Sequence, residues 1–264
     1  VGDMACGETG PGRMAEPDAI LAAIRDRIAP TVTGPLTGAH VLVTAGPTHE
    51  PIDPVRYIAN RSSGKQGFAI AAACAALGAK VTLISGPVAL PDPAGVTAIR
   101  DTTADEMLTA CTAALPADAA VCAAAVGDWR AKQTAPGKIK KDGRSDATLA
   151  LTANPDILAT LSRPGPDRPR LVVGFAAETD DVVANAEAKR LDKGCDWILA
   201  NDVSAATGIM GGDENAVHLV TATGVENWTR MSKTRVGEEL AQRLAEALNA
   251  SNVTRAPFGA QRGA

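Results

Sequence analysis

The chain has 264 residues, a formal net charge of −4, 45% apolar residues and only 3% aromatics. That length allows one large domain or two small ones, and the acidic balance argues against a general nucleic-acid binder. No apolar run reaches the roughly 18 residues needed to span a membrane, so a membrane protein of helical type is not expected.

Residues 1–16 (VGDMACGETGPGRMAE) are Gly-rich and would not fold alone. A start at Val1, without Met and without a basic-then-apolar leader, predicts a piece of a longer protein. Ile20, Leu21, Ile24 and Ile28 have helical spacing, and residues 30–38 read as a linker. His40–Thr44 is a short β-branched run and predicts a buried strand, followed by a Gly-rich loop. Gly67–Leu77 is an Ala-rich helix ended by Gly78. Strands are predicted at Lys80–Ser85, Val96–Arg100, Ala119–Ala125, Leu171–Ala176, Trp197–Ala200 and Ala216–Val220. Helices are predicted at Ala104–Ala114, Asp181–Lys193 and Lys233–Leu248. Strands alternating with helices predict an α/β, Rossmann-like fold: a largely parallel sheet with helices on both faces. Residues 249–264 are polar and are expected to be a disordered tail. Ala131–Lys141 (AKQTAPGKIKK) breaks the alternation and leads into an extended segment at Ala147–Thr152. An insertion after the Ala119–Ala125 strand falls where open α/β sheets place ligands, and long loops there act as lids.

Several stretches carry chemistry. The loop Ala45–Asp53 begins as a dinucleotide-binding turn at Gly46, yet it lacks G-x-G-x-x-G. The second strand ends in Ser85-Gly86-Pro87, without the carboxylate that would hold a ribose. Asn60-Arg61-Ser62-Ser63-Gly64-Lys65-Gln66-Gly67 precedes a helix, whose N–H groups and dipole favour an anion. Ala59 and Gln66 rule out a Walker A loop, and capping by Ser62 or Ser63 is the competing reading. Lys138-Ile139-Lys140-Lys141 lies in the lid-like insertion, either as a solvated face or as phosphate-binding charge. Asp128 follows a strand of small residues and could hold a ribose or a metal, or form a turn. Asn154-Pro155-Asp156-Ile157 is explained equally by helix capping. Phe175 could stack on a base or pack in the core. Lys189 and Lys193 share one helix face. Five cysteines (Cys6, Cys74, Cys111, Cys122, Cys195) without a C-x-x-C pair read as mostly buried thiols in a reducing cytoplasm. Together these groups suit a nucleoside triphosphate. No ordinary zinc site and no G-x-S-x-G hydrolase elbow is present.

The ordered set VLVTAGPTHEPIDPVRYIANRSSGKQGFAIAAACAALGAKVTLISGP, AAAVGDWR, KIKK, NPDIL, GFAAET, AKRLDKGCD and ANDVS closely resembles the bacterial phosphopantothenoylcysteine synthetase family over residues 38–248. Residues 1–16 resemble the end of the flavin-dependent phosphopantothenoylcysteine decarboxylase that bacteria commonly fuse ahead of it, and residues 17–37 then form a helix and linker. The resemblance implies ligation of phosphopantothenate with L-cysteine through an acyl-cytidylate, giving phosphopantothenoylcysteine, CMP and pyrophosphate, with CTP and Mg²⁺. The decarboxylase fragment is what favours CTP over ATP.

Carried over residue by residue, Asn60 and Lys138 match catalytic positions. Cys122, Ala123, Ala124, Asp128, Lys138, Asn154, Pro155, Asp156, Ile157, Phe175, Lys189 and Lys193 match CTP-site positions. Gly46, Asn60, Ser62, Ser63 and Gly64 are the phosphate or substrate candidates, and the Mg²⁺ ligands are left open. Cys6 matches the decarboxylase proton donor. FMN belongs to the decarboxylase body, so no decarboxylation is expected of this fragment. Gly127 departs from the family, which more often has Ala there. The resemblance also implies a homodimer. Two readings of other classes compete: an NAD(P)-dependent oxidoreductase, and a nucleotide-sensing module without catalysis.

Overall fold

The β-branched runs and Ala-rich helices read above assemble into one large sheet. A computed structural model describes residues 2–3, 9–10, 16–17, 20, 32–140, 148–204, 207–209 and 211–253. Two units are distinguished, residues 1–31 and 32–264. In the first, β1 (Gly2–Asp3) pairs antiparallel with β2 (Thr9–Gly10). Cys6, most of the helix expected over residues 17–30, and residues 254–264 lie outside the described residues.

The second unit begins with β3 (His40–Ala45), a small hairpin of β4 (His49–Pro51) and β5 (Tyr57–Ala59), then α1 (Lys65–Ala76), β6 (Lys80–Ser85) and β7 (Val96–Arg100). It continues with α2 (Ala104–Ala113), β8 (Ala119–Cys122), a second small hairpin of β9 (Trp129–Ala131) and β10 (Leu151–Ala153), α3 (Ile157–Ser162) and β11 (Leu171–Glu178). The last elements are α4 (Val182–Lys193), β12 (Trp197–Asp202), β13 (Glu214–Val220), β14 (Val225–Ser232) and α5 (Lys233–Val253).

The main sheet has eight strands in the order β14-β13-β12-β11-β8-β3-β6-β7. From β12 to β7 every pairing is parallel, and β13 and β14 add an antiparallel edge. The chain runs outward from β3 through β6 to β7, returns to lay β8 beside β3, and then runs outward the other way. The order therefore reverses between β3 and β8, the position at which open α/β sheets bind ligands.

Alternation along each strand decides which helix it meets. Val41, Val43, Val81, Leu83, Val121 and Val173 pack with Phe68 and Ile70 of α1 and Leu240 and Leu244 of α5. Leu42, Ile84 and Ala120 face Met107 and Cys111 of α2 and Leu161 of α3 on the opposite side. Val172, Ile198 and Ala200 face Ala186 of α4. Each fully buried leucine contributes about 2 kcal/mol. Gly237 lets α5 cross α1 closely: a Cβ there would sit 2.8 Å from the Ala69 carbonyl carbon and oxygen.

Boundaries differ from the sequence pattern in places. The ladder of β8 stops at Cys122, not Ala125; the Ala123 N–H still donates to the Thr44 carbonyl of β3, and Ala125 pairs with the Gly46–Pro47 loop beyond it. Helix α5 runs past Leu248 to Val253, so residues 249–253 are helical where a tail is expected; the Asn249 side chain donates to the Pro35 carbonyl at 3.0 Å. Among the described residues, no helix is long and apolar enough to cross a membrane.

Candidate functional site

A cleft of about 690 Å³ opens at the carboxyl ends of β3, β8, β11 and β12, over the point where strand order reverses. Its floor is the continuation of β8. The Ala123 N–H donates to the Thr44 carbonyl (3.1 Å), the Ala124 N–H to Thr44 Oγ1 (3.2 Å) and the Ala125 N–H to the Gly46 carbonyl (2.8 Å). Small side chains on fixed backbone let a flat ligand approach closely. Cys122, Ala123, Ala124 and Asp128 all line the cleft.

The loop before α1 forms one wall through Asn60, Ser62, Ser63 and Gly64. Asn60 Nδ2 donates to the Val126 carbonyl at 2.9 Å, tying this loop to the floor. Helix α1 begins at Lys65 and not at Gly67. Its N-cap is Gly64, in a left-handed conformation (φ 74°) with no side-chain cap, so neither Ser62 nor Ser63 caps it. Ser62 Oγ instead accepts from the Gly64 N–H at 3.3 Å. The first N–H groups of α1 thus face the cleft without a side-chain acceptor, a setting that favours an anion.

The opposite wall is Asn154–Leu158, Phe175 and helix α4. Asp156 caps α3 by accepting from the Ala159 N–H (2.8 Å), and its other oxygen meets Lys193 Nζ at 3.1 Å. Capping and cleft lining therefore coexist in this residue. Asn154 does not cap: it donates to the Gly127 carbonyl (2.7 Å) and accepts from Arg130 (2.9 Å). Lys189 and Lys193 both line the cleft, and Asp192 and Asp156 push the Lys193 ammonium above its ordinary range. Phe175 lies at the cleft while also packing against the core.

Gln66, Asn201, Asn215 and Lys233 also line the cleft, and sequence reading missed them. Asn201 donates to Asn215 (3.1 Å), Asn215 to Gln66 (3.3 Å) and Gln66 to the Lys233 carbonyl (3.1 Å). This amide chain joins β12, β13 and the starts of α1 and α5. Lys233 Nζ donates to the Gly212 carbonyl at 2.6 Å, and burial followed by the neighbouring charge of Lys65 lowers its pKa. Asn201 was within reach of the strand-end rule applied to Phe175. Nothing in the sequence ties Lys233 to this place.

Two sequence candidates do not line the cleft. Gly46 (φ 75°) lies beneath it, where a Cβ would meet Val88 at 3.0 Å and the Gly86 carbonyl oxygen at 3.1 Å. Lys138 is exposed and outside the lining, because the segment before Lys140 is bound to the β4–β5 hairpin instead. The insertion expected as a lid is the loop of the β9–β10 hairpin, and residues 141–147 of it, with Lys141, lie outside the described residues. At Gly127 a Cβ would find only ordinary contacts of 3.6–3.7 Å, so the site has room for the alanine that the family resemblance leads one to expect there.

Arg56, hydrogen-bonded to Asp53, holds that carboxyl well below the usual carboxylate range. Burial, with Cys111, Cys195 and Asp156 nearby, pushes the Cys122 thiol well above its ordinary value. Among the described residues, no group of three or more His, Cys, Asp and Glu side chains converges as a metal cage. A Mg²⁺ ion bound with a triphosphate needs only one or two protein carboxylates. Asp128 fits that demand, since it lines the cleft and its carboxylate has no ion pair among the described residues.

Residues 36–248 match the family model described as the DNA/pantothenate metabolism flavoprotein C-terminal domain. The chain is 43% identical over 254 residues to the coenzyme A biosynthesis bifunctional protein CoaBC of Escherichia coli (strain K12), covering 95% of this chain and 62% of that protein. Against the CoaBC protein of Bacillus subtilis (strain 168), identity is 41% over 248 residues, with 92% and 60% covered. The chain thus spans about three-fifths of the length of these curated relatives. Among solved structures, the crystal structure of the C-terminal domain of CoaBC has a TM-score of 0.69 at 35% identity, covering 83% of this chain and 100% of that one. A Cab2 mutant in complex with phosphopantothenate-cysteine has a TM-score of 0.66 at 16% identity, covering 92% and 97%, a likeness of fold.

Proposed function

The chain belongs to the DNA/pantothenate metabolism flavoprotein C-terminal domain family, and from that membership we propose that it is a ligase of coenzyme A biosynthesis, joining phosphopantothenate to L-cysteine at the expense of CTP. The observation that carries the reading is the single cleft at the strand reversal. It gathers Asn60, Ser62–Gly64, Ala123–Asp128, Asn154–Ile157, Phe175, Lys189 and Lys193 from segments far apart in sequence. A relative of the same fold is complexed with phosphopantothenate-cysteine, the product class this reading requires.

A carboxylate is a poor acylating agent at neutral pH, so it must first acquire a leaving group. In the proposed first step the phosphopantothenate carboxylate oxygen attacks the α-phosphorus of CTP. A P–O bond forms, the bond to the β-phosphate oxygen breaks, and pyrophosphate leaves. In the second, the amine of cysteine attacks the acyl carbon, loses a proton and expels CMP. The chain's task is to manage dense negative charge with groups already oriented. The free N–H groups of α1 receive phosphate oxygens, Phe175 lies against the base, and Lys189 and Lys193 hold the nucleotide over Asp156. Asn60 orients the acyl phosphate from a position fixed on Val126. Lys138 supplies charge as pyrophosphate departs. Mg²⁺, held by Asp128 and the phosphates, would neutralise the triphosphate.

The same reading includes a homodimer and a fused decarboxylase domain. Val55, Tyr57, Trp129, Ile139, Leu149 and Leu151 are all exposed around the β4–β5 and β9–β10 hairpins, and this apolar surface favours self-association. Pyrophosphate release, measured with phosphopantothenate, Mg²⁺ and either CTP or ATP, with and without cysteine, tests the reading. Release that needs phosphopantothenate and CTP, with amide formed only when cysteine is added, is the expected result. Nucleotide binding without any release would leave a sensing module instead.

A further inference from the structure

We propose that Asp53 is a positioning residue for this reaction: with Arg56 it grips the Ile139 peptide and so fixes the point from which Lys138 acts. The inference rests on the CTP-dependent reading, in which Lys138 assists departure of pyrophosphate.

Asp53 lies in the turn between β4 and β5, and its side chain is fully buried. Its carboxylate accepts five hydrogen bonds, all within 3.1 Å. Oδ1 accepts from the Val55 N–H (2.8 Å) and the Arg56 N–H (2.9 Å), which closes the turn. Oδ2 accepts from Arg56 Nε (3.0 Å) and Nη2, and from the Ile139 N–H at 3.1 Å. Arg56 Nη2 also donates to the Ile139 carbonyl at 2.9 Å. Both backbone polar groups of a residue 83 positions from Arg56 are therefore held by one ion pair.

The Ile139 residue is 46% exposed, so apolar burial is not what fixes this segment. Upstream, the Ala135 N–H donates to the Ile52 carbonyl (3.0 Å) and Thr134 Oγ1 to the Pro51 carbonyl (3.3 Å). The stretch 134–139 is strapped along the hairpin by hydrogen bonds, and Lys138 is the residue just before the last of them. A lysine stem is long and flexible, so its reach toward the cleft is set by where its own backbone is pinned. Misplacing a charge-stabilising group by about 1 Å can cost on the order of a hundredfold in rate.

The test is a double-mutant cycle. In Asp53→Asn, the retained oxygen can still accept from Val55 and Arg56 and keep the turn. The amide nitrogen then replaces Oδ2, which can no longer accept from Ile139. Pyrophosphate release at saturating CTP should fall on the order of tenfold to a hundredfold, while CTP affinity stays within about twofold. The D53N/K138A pair should be no slower than K138A alone, because both changes remove the same service. Ile139→Pro, which deletes the N–H and also constrains the backbone at Ile139 and at Lys138 before it, should be at least as slow as D53N. Losses that multiply in the double variant would show that Asp53 acts independently of Lys138 and overturn the proposal, as would wild-type turnover in D53N. If the unaltered chain releases no pyrophosphate with any nucleotide, the ligase reading falls separately. Amide exchange at Ile139 then judges the grip: slow in the unaltered chain and faster in D53N is expected, and equal rates defeat it.

Discussion

At the scale of single residues, the cleft asks different work of groups that look alike in sequence. Asp156 and Asp128 are both cleft carboxylates, but the first caps α3 and pairs with Lys193, while the second has no ion-pair partner among the described residues. Lys193 is held between two aspartates, whereas Lys138 stands outside the cleft lining. A lysine that acts as charge develops should show itself in turnover more than in binding. Lys138→Ala is therefore expected to slow pyrophosphate release by about tenfold or more with little change in the KM for CTP; steady-state kinetics showing a raised KM at normal kcat would refute the role. Asn60→Asp removes the donor to the Val126 carbonyl and sets a carboxylate against that oxygen. Loss of such a bond, with charge added beside an anion site, should cost about tenfold or more in the acyl-cytidylate half-reactions. Quench-flow measurement of the intermediate decides it, and full overall turnover would sink the assignment.

Elements show which parts of the fold a sequence carries openly. His40–Ala45, Lys80–Ser85 and Val96–Arg100 were legible because central parallel strands are apolar runs bounded by turn residues. β14 was not, because its residues are almost all exposed and give no apolar face; it is a strand through its pairing with β13. β4, β5 and β9 are three-residue strands, too short for any period to register, while β10 overlaps the end of the extended segment expected at Ala147–Thr152. Within the site, Asp128 and Phe175 follow from the rule that ligands meet strand ends. Gln66 and Lys233 do not, since their meeting depends on α5 crossing α1. That crossing is itself testable. Gly237→Ala would force a methyl against the Ala69 carbonyl and is expected to destabilise the domain by about 1–3 kcal/mol in urea titration; unchanged stability would mean the helices part freely.

Helix α2 offers a pH-dependent counterpart. Thr103 accepts from the Glu106 N–H at 3.3 Å, while Glu106 accepts from the Thr103 and Thr102 N–H groups, each at 2.9 Å. Those backbone bonds lower the Glu106 pKa. A depressed carboxyl stabilises the fold fully above its unfolded value of about 4.3, and that stability is lost as pH falls through the folded value. Glu106→Gln should therefore flatten the acid limb of the stability curve by lowering stability near pH 7 while leaving it little changed at the acid end, where Glu106 is protonated. Thr103→Ala should cost about 1 kcal/mol at either pH. An acid limb of unchanged slope in Glu106→Gln would exclude Glu106 as a contributor.

Over the whole molecule, the six-strand parallel block sets the cleft and the small hairpins beside it set the surface. The proposed homodimer places its interface on those hairpins. Leu151→Asp is expected to convert dimers to monomers in light scattering, since it sets a charge in a largely apolar patch. A dimer unaffected by Leu151→Asp would move the interface elsewhere.

The floor of the cleft has one more consequence. Cys122 lines the cleft in which the reading above places the acyl-cytidylate, and a thiolate able to reach the acyl carbon would compete with the incoming amine and end as a thioester on the protein itself. Only the thiolate is a strong nucleophile. Burial and neighbouring Cys111, Cys195 and Asp156 hold the Cys122 proton in place far above neutral pH. On the ligase reading, a site that handles a sulfur-bearing amino acid would keep its own sulfur protonated, and so protected from acylation, by the same packing that builds the sheet.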